Sequence, residues 1–309
     1  MKVSIVIVCM NRPDNLYPCL KSIDATTTVE HETLVVAYLY DKAGLEQARK
    51  DFPDVTFIVS DEIRGFSENN NIALKTAKGE YCFVLNDDTE LKMPVIDRLV
   101  DDFDRVPSDA AIIIPKLLNA DGSLQLLGRP PYPPLNYVRQ QWHRYSEPID
   151  NRPDKNSDAM FITYGISGAA FLIRTDVFRE LGWFDERYFF TPEDIALAHL
   201  ALKKGYSIWA DPKAEVVHKW KTTSSRMLSA TRPAAIRGSL MYFSGGSNIG
   251  YMLLAVPVWA SEYGKRIKAR LQGNELKHLV YKNISRSIFT HRTPKQIFVK
   301  YYTALKKNV

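Results

Sequence analysis

Residues 65–91, GFSENNNIALKTAKGEYCFVLNDDTEL, join a helical pattern to a short apolar run that ends on two adjacent carboxylates. The run at 81–85 predicts a buried strand, and Asn86, Asp87 and Asp88 follow where that strand should end. Asn and Asp also favour polar turns and helix N-caps, so the two acids on their own are compatible with an ordinary turn. Whether they carry chemistry depends on what the rest of the chain brings to the same place.

Strand and helix patterns alternate through the first 115 residues. Such alternation is typical of parallel strands joined by crossover helices, and it predicts an α/β fold with an open sheet. Ligands of such sheets bind outside the carboxyl ends of the strands. Asp87 and Asp88 fall at that edge, and so do Asn11 and Arg12 after the first strand. The predicted strands are 2–10, 32–40, 55–60 and 80–85, and the predicted helices are 15–23, 44–52 and 67–79.

The second half of the chain is interrupted by residues 128–157, which are rich in proline, aromatic and charged residues. We interpret them as a long irregular insertion, and loops of this length are usually functional or disordered. Order is predicted to resume before a helix at 192–205, which two strands follow at 206–210 and 215–220.

The composition is that of an ordinary soluble globular protein, since 45% of the 309 residues are apolar and 25% are charged. The three cysteines, Cys9, Cys19 and Cys82, form no C-x-x-C pair and leave an odd number, so neither a zinc site nor a disulfide framework is predicted. This cysteine usage is typical of a reducing compartment, and we expect a cytoplasmic location. Met1 and Lys2 run directly into the first strand, and no signal peptide is predicted.

The formal net charge of +6 is distributed unevenly. Residues 263–309 contain twelve Lys or Arg and one acid, Glu275, which gives this segment +11 and leaves −5 for residues 1–262. A nucleic-acid partner is not predicted, because no aromatic–glycine binding motif accompanies the basic residues.

The basic segment follows an apolar stretch at 251–260, which is too short to cross a bilayer because a spanning helix needs roughly 20 residues. Apolar residues interleave with the basic ones beyond it, as in amphipathic helices. Such helices gain from contact with anionic lipids, so we expect peripheral contact with a membrane surface. The alternative is a helical appendage that packs on the body of the protein or on a second subunit of a homo-oligomer.

Three further segments stand in a fixed order with residues 65–91. They are VSIVIVCMNRPDNLYPCLKSI at 3–23, GISGAAFLIRTDVFRELGWFDERYFFTPEDIALAHLALKKGY at 165–206 and ADPKAEVVHKWKTTSS at 210–225. Together the four segments resemble family 2 glycosyltransferases of the GT-A fold, and they look most like the branch of rhamnosyltransferases and related builders of surface polysaccharides. The resemblance implies a GT-A type open mixed sheet flanked by helices at 1–226 and a helical, basic C-terminal appendage at 227–309.

The same resemblance implies a metal-dependent, inverting transfer of a sugar from a nucleoside-diphosphate donor to a hydroxyl of a glycan or lipid-linked acceptor. Asp88 matches the metal-binding aspartate of the family's D-x-D-like motif, with Asn86 at its first position and Asp87 between them, and Asp87 or His218 would assist Asp88 in binding the metal. His218 matches a histidine that completes the metal shell in some relatives, although a lone histidine after an apolar strand is more often structural. Mn²⁺ or Mg²⁺ would neutralise the charge that builds on a leaving diphosphate.

Glu193 and Asp194 match the acidic pair at the start of the family's corresponding helix, where Asp194 would be the general base. An inverting transfer needs one carboxylate that takes the proton of the attacking hydroxyl. The same residues also read as an ordinary helix start, since Thr191 is a capping residue, Pro192 suits the first helical position and acids favour the helix dipole. Both interpretations can hold together.

Residues around these acids would complete the site. Trp183, Asp185 and Glu186 would form part of the acceptor wall, although Trp183 is equally compatible with the core. Lys219 and Lys221 would close over the diphosphate, and the alternative for them is a solvated basic loop.

Recognition of the nucleotide departs from the family pattern. Relatives carry an aspartate after the second strand, where this chain has Ala37, and Asp41 is the nearest substitute. Relatives also tend to carry Asp at the position of Ala196 and Gly at that of Trp183. The donor-binding candidates are Asn11, Arg12, Asp41, Arg64, Asn70, Asn86, Asp87 and Gly168.

Two other functions are compatible with an α/β nucleotide-binding fold. Sugar nucleotidyltransferases resemble one another through a glycine-rich loop after the first strand, and residues 8–16 contain no glycine. A catalytically silent nucleotide-sugar-binding protein would account for Ala37. The retention of Asp88, Asp194 and His218 together favours the enzyme.

Overall fold

Apolar runs near the N-terminus form the first strands of a central sheet in the computed structural model, which describes residues 1–219 and 227–306. β1 (Val3–Cys9) and β4 (Tyr81–Asn86) are almost wholly buried because their alternate side chains enter two cores, one on each face of the sheet. The elements predicted in the first 86 residues are all found, with ends shifted by a few positions. The others are α1 (Pro13–Thr26), β2 (His31–Tyr38), α2 (Lys42–Asp51), β3 (Val55–Ser60) and α3 (Phe66–Leu74).

The middle of the chain adds shorter elements. The strands are β5 (Thr89–Leu91), β6 (Ala110–Leu118), β7 (Leu124–Leu126), β8 (Phe161–Thr163), β9 (Ala170–Arg174) and β10 (Ser207–His218). The helices are α4 (Val95–Asp102), α5 (Pro134–Gln141), α6 (Thr175–Glu180) and α7 (Glu193–Lys203), and a short 3-10 turn at Phe103–Arg105 follows α4.

Ten strands of the described residues form one mixed sheet in the order β3-β2-β1-β4-β9-β6-β10-β5, with β7 paired to β6 and β8 paired to β10. β1 to β4 pair in parallel, whereas β9 runs antiparallel to both β4 and β6. The predicted open mixed sheet is therefore confirmed. Because Val8 lies opposite Asn86, the carboxyl ends of β1 and β4 stand side by side.

Two predicted stretches fold differently. Residues 128–157 are not irregular throughout, because α5 begins at Pro134 and stacks the buried ring of Tyr137 on Phe243, with ring centroids 5.0 Å apart. The strands predicted at 206–210 and 215–220 are one strand, β10, whose pairing with β6 is irregular between Asp211 and Glu215. Pro212 lies in that interval and has no N–H to donate to a neighbouring strand, so the pairing is interrupted without ending the strand.

After residue 226 the described chain is helical, in α8 (Leu228–Phe243), α9 (Asn248–Leu271), α10 (Glu275–Ser287) and α11 (Pro294–Lys306). These helices pack on the rest of the protein. Leu240 and Ile284 share a buried cluster with Tyr132 of the insertion, and Phe298 lies 4.7 Å from Phe189, centroid to centroid. The division into domains at 226 stays a prediction. Among the described residues, no helix is both long enough and apolar enough to span a bilayer.

A glycine allows α8 to approach the segment before α7. A Cβ atom at Gly238 would lie 2.5 Å from the carbonyl oxygen of Thr191. We expect Gly238→Ala to lower the free energy of unfolding by about 1–3 kcal/mol in a urea titration, because the Cβ would overpack this contact. Gly264→Ala in α9 is the matched control, since its Cβ would meet nothing within 4 Å and alanine favours a helix. Wild-type stability of Gly238→Ala would contradict the contact.

Candidate functional site

Two buried side chains face each other where β5 and β10 pair. His218 lies opposite Thr89 in this antiparallel pair, so it stands beside Asp88, and the Lys219 N–H donates to the Asp88 carbonyl at 2.9 Å. His218 Nε2 lies 3.2 Å from Asp88 Oδ1, and both residues are nearly inaccessible, at 6% and 5% exposure. Asp88 and His218, two of the predicted metal ligands, are therefore brought together from positions 130 residues apart.

Gln125 in β7 fixes the orientation of the histidine ring. Its Nε2 donates to Asn119 Oδ1 at 3.0 Å and to the His218 carbonyl at 3.1 Å, which leaves Oε1 to face the ring. Oε1 lies 2.7 Å from His218 Nδ1, so Nδ1 is the protonated nitrogen. In the neutral ring Nε2 then carries a lone pair that faces the Asp88 carboxylate. A cation between these two acceptors would satisfy both, so this donor set fits a metal ion.

The described residues hold no group of three or more His, Cys, Asp or Glu side chains arranged for a metal. Asp88 and His218 would thus supply two ligands only. Divalent cations in nucleotide sites commonly take one or two protein ligands and complete their shell with phosphate oxygens and water. A two-residue pair is in keeping with that arrangement.

Asp87 lies nearer the end of β1. Its carboxylate interacts with Cys9 and Arg12, and burial, with a smaller contribution from Asp88, raises the pKa of Asp87 to about 7. Arg12 is also paired with Asp14 at 2.7 Å. The metal role predicted for Asp87 stays a prediction, as does its role with Arg12 in donor binding.

The remaining donor-binding candidates of the N-terminal half already have intramolecular contacts. Asn11 Oδ1 accepts from the Asp41 N–H at 3.3 Å, and the Asp41 carboxylate caps α2. Arg64 pairs with Glu62, and the buried Asn70 donates to a carbonyl of its own helix. These contacts bring Asn11 and Asp41 together beside the ends of β1 and β2, and they leave the ligand roles as predictions.

The start of α7 adjoins the end of β4. The Asn86 N–H donates to the Ala169 carbonyl at 2.9 Å. A Cβ atom at neighbouring Gly168 would lie 3.3 Å from the Phe66 ring and 4.0 Å from Glu193 Oε1. A short chain of contacts therefore links the Asn86 end of β4 to the predicted acidic pair.

Glu193 and Asp194, the two members of that pair, differ in their exposure to solvent. Glu193 is buried, and its burial, together with the charge of Asp194, holds the pKa of Glu193 well above its ordinary value. Among the described residues, Glu193 Oε2 has no hydrogen-bond partner. Asp194 is partly exposed and lines a cavity of about 490 Å³, so it is the member of the pair that a ligand can reach.

The Asp194 cavity lies between the insertion and α8. Its wall includes an ion pair in which Arg129 Nη1 lies 2.7 Å from Glu147 Oε2. Burial raises the pKa of Glu147, and the charge of Asp194 raises it further. Arg232 of α8 contributes a second basic side chain. Other lining residues include Tyr132, Tyr137, Gln140, Thr191 and Ser239.

Sequence reasoning missed Gln125, Arg129, Glu147 and Arg232. Only the unusual composition of the insertion pointed toward two of them, because it marked residues 128–157 as functional without selecting a side chain. Gln125 lies in a three-residue strand, and three residues are too few for an alternation of apolar and polar side chains to be detected in the sequence.

The predicted acceptor residues do not line the Asp194 cavity. Trp183 packs on Phe178, with ring centroids 5.3 Å apart, and Asp185 pairs with Arg187 at 2.6 Å. Glu186 accepts from Asn71 at 2.9 Å. Their acceptor role stays a prediction.

Of the two lysines predicted to close over the diphosphate, the structure describes one. Lys219 forms an ion pair with Glu90, beside Asp88. Lys221 lies outside the described residues.

Comparison with known sequences gives one family. The sequence model of Glycosyl transferase family 2 matches residues 4–182. The O-antigen biosynthesis protein RfbC of Myxococcus xanthus is 28% identical over 223 residues, which cover 70% of this chain and 17% of that protein. The chain therefore spans only a small part of the length of this relative.

Solved structures share the fold at low identity. The mannosyltransferase PcManGT from Pyrobaculum calidifontis, in complex with GDP-Man and Mn²⁺, has a TM-score of 0.55 and 12% identity, covering 99% of this chain and 87% of that one. GalNAc-T7 with UDP, GalNAc and Mn²⁺ has a TM-score of 0.59 and 17% identity, covering 72% and 44%. TarS 1-349 from S. aureus has a TM-score of 0.52 and 15% identity, covering 93% and 91%. The predicted GT-A type of sheet is confirmed.

Proposed function

The chain belongs to glycosyl transferase family 2, whose sequence model matches more than half of it, and from this premise we propose that it is a metal-dependent, inverting glycosyltransferase. Its donor is a nucleoside-diphosphate sugar, and its acceptor is a hydroxyl of a glycan or glycolipid in surface polysaccharide synthesis. The name of the Myxococcus relative supports the polysaccharide, and the nucleotides and Mn²⁺ bound in the similar structures support the donor and the cation. The rhamnosyltransferase-like branch stays part of this proposal.

One observation carries the proposal, namely that a partly exposed carboxylate, Asp194, lines a cavity at the start of α7, which contacts through Gly168 link to the Asn86 end of β4. Asp194 would accept the proton of the acceptor hydroxyl while that oxygen attacks the anomeric carbon. The bond from that carbon to the diphosphate breaks in the same displacement, which inverts the configuration. Arg129, Glu147 and Arg232 would bind the hydroxyls of the acceptor.

Asp88 and His218 would hold Mn²⁺ or Mg²⁺ together with the donor. A bound divalent cation would neutralise the charge that develops on the leaving diphosphate. Gln125 keeps the His218 ring in the tautomer that presents Nε2, and Arg12 would approach the donor from the end of β1.

The proposed reaction is tested by incubating the protein with a panel of nucleotide sugars, first ranked by thermal shift with Mn²⁺, and by following release of the nucleoside diphosphate with Mn²⁺ and with EDTA. Release that requires the metal supports the proposal. A donor that binds without any release or transfer would instead favour a silent binding protein.

Gln125→Leu is expected to weaken Mn²⁺ binding about 10- to 100-fold, because the leucine cannot accept from Nδ1–H and the His218 ring loses its fixed tautomer. Mn²⁺ binding is measured by electron paramagnetic resonance in the presence of UDP, GDP or dTDP, using the nucleotide with the largest thermal shift. Gln125→Glu keeps an acceptor toward Nδ1 but loses the two donations of Nε2, to Asn119 Oδ1 and to the His218 carbonyl, so its affinity should lie between those of Gln125→Leu and the wild type. Equal Mn²⁺ affinity of Gln125→Leu and the wild type would refute this role.

We further propose that the enzyme works in the cytoplasm, as a peripheral protein at the inner face of a membrane. The +11 charge of residues 263–309 supports this location, since each Lys or Arg near an anionic surface contributes about 1 kcal/mol. The three cysteines are free and buried, which suits a reducing compartment.

A further inference from the structure

α9 exposes a continuous apolar stripe along its outer side. The stripe residues recur at spacings of three and four, so they share one helix face, while Ala255 and Val258 on the opposite face are buried. Ile249 is 75% exposed, Leu253 71% and Leu271 83%. At 1.5 Å per residue the stripe extends for about 33 Å. Its members are Ile249, Met252, Leu253, Val256, Tyr263, Ile267 and Leu271.

A cavity of about 930 Å³ opens beside the N-terminal half of this stripe. Its lining includes Arg237 and His291, together with Arg187, which is paired with Asp185 at 2.6 Å. Among the described residues no Asp or Glu lines the cavity. Met252 belongs both to this cavity and to the apolar groove formed by the stripe. A site for an anionic group is therefore continuous with an apolar surface.

We propose that the α9 stripe lies on an anionic lipid bilayer and that the adjoining cavity receives the phosphate of a lipid headgroup. This inference rests on the proposed peripheral location and adds the surface responsible for it. A helix with exposed apolar side chains and flanking cations lies in the plane of the interface, with its apolar face among the acyl chains. Arg266, Lys268 and Arg270 of α9 provide those cations near the C-terminal half of the stripe.

The positive charge beside the stripe favours an anionic bilayer over a second copy of the chain as the partner of this surface. A two-fold interface would place the same surface against itself, so Arg266, Lys268 and Arg270 of both copies would lie at one interface. Like charges across such an interface repel, whereas anionic headgroups neutralise the same residues. The complementary partner is therefore the lipid surface.

Truncation would not test this surface cleanly, because α10 and α11 bury Ile284, Ile297 and Phe298. Point variants of the full chain avoid that problem. The wild type should co-sediment with phosphatidylglycerol vesicles at low salt, bind phosphatidylcholine vesicles weakly, and be released as salt shortens the screening length to about 3 Å at 1 M.

The double variant Ile249→Glu with Leu253→Glu should lower the partition coefficient on phosphatidylglycerol about 10- to 100-fold. Val59→Glu with Ile162→Glu is the matched control, since both side chains are exposed on strands of the sheet, at 49% and 48%. Unchanged partition of the α9 variant would overturn the inference, even if the wild type binds and the peripheral location stands. Conversion of a wild-type dimer to a monomer by the same variant, in light scattering, would also overturn it and assign the stripe to a subunit interface.

The headgroup cavity has its own test. Arg237→Gln should lower partition on phosphatidylglycerol and leave the weak partition on phosphatidylcholine unchanged, and Arg179→Gln in α6 is the control. Equal phosphatidylglycerol binding by Arg237→Gln and the wild type would overturn the phosphate role of the cavity. Absence of wild-type binding to either vesicle would refute the location itself, while metal-dependent release of nucleoside diphosphate would remain as an independent measure of the proposed activity.

Discussion

Asp88→Ala is expected to abolish sugar transfer and the dependence of nucleotide binding on Mn²⁺, while the protein stays folded. Among the ion pairs of the described residues, Asp88 is the carboxylate paired with His218, at 3.2 Å from Nε2. The variant removes this carboxylate. Neutralisation of a leaving diphosphate by a cation is worth several kcal/mol, and each 1.36 kcal/mol is a tenfold change in rate, so the loss should be about 10³-fold or more. Transfer is measured with excess donor and Mn²⁺, and nucleotide binding by calorimetry with and without the metal.

Asp101→Ala is the control for this variant, because Asp101 is an exposed acid of α4. It should retain wild-type transfer and wild-type Mn²⁺ dependence. Thermal unfolding of both variants checks that the fold is intact. Full activity of Asp88→Ala in the presence of EDTA would remove the metal from the mechanism.

The sequence predicted the features that depend on local periodicity. The alternation of strands and helices through residue 86 has a strong period, so the parallel strands and their polar carboxyl ends were predictable. The strand end that carries Asp87 and Asp88 was predictable for the same reason, whereas the metal role of Asp88 was proposed through resemblance. Its partner His218 could be proposed only through resemblance, since the pairing of β5 with β10 joins residues far apart in the chain.

The features that sequence reasoning missed depend on tertiary contacts. α5 buries Tyr137 against α8, and without that contact its eight residues have too little helical length to be distinguished from a loop. Arg129 and Glu147 meet although 18 positions separate them, and the sequence of the insertion has no periodicity that selects one charged residue over another. The exposed stripe on α9 is another such case, since a pattern of apolar residues does not reveal which of them the rest of the protein covers.

The contrast between Glu193 and Asp194 also required the fold. In the sequence both read as acids in the first turn of a helix. Burial, with the charge of Asp194 beside it, holds the pKa of Glu193 well above its ordinary value, which favours the protonated form and makes this carboxyl the poorer candidate for a base. Asp194, at the cavity wall, is the member of the pair positioned to act as a base.

Asp194→Asn should therefore retain donor affinity and lose turnover by about 10²- to 10⁴-fold, the range typical of a general base, because the amide nearly preserves the shape but cannot accept the hydroxyl proton. Glu193→Gln is the matched control on the neighbouring residue. Since burial raises the pKa of Glu193 and so favours its neutral form, this isosteric change should leave turnover within a few fold of the wild type. Turnover is measured under saturating donor, donor affinity by thermal shift with Mn²⁺, and the anomeric configuration of the product by NMR.

If Asp194→Asn turns over normally while Glu193→Gln does not, the assignment within the pair is reversed. A product that keeps the configuration of the donor would exclude the single displacement altogether, because one attack by a deprotonated hydroxyl on the anomeric carbon inverts that centre.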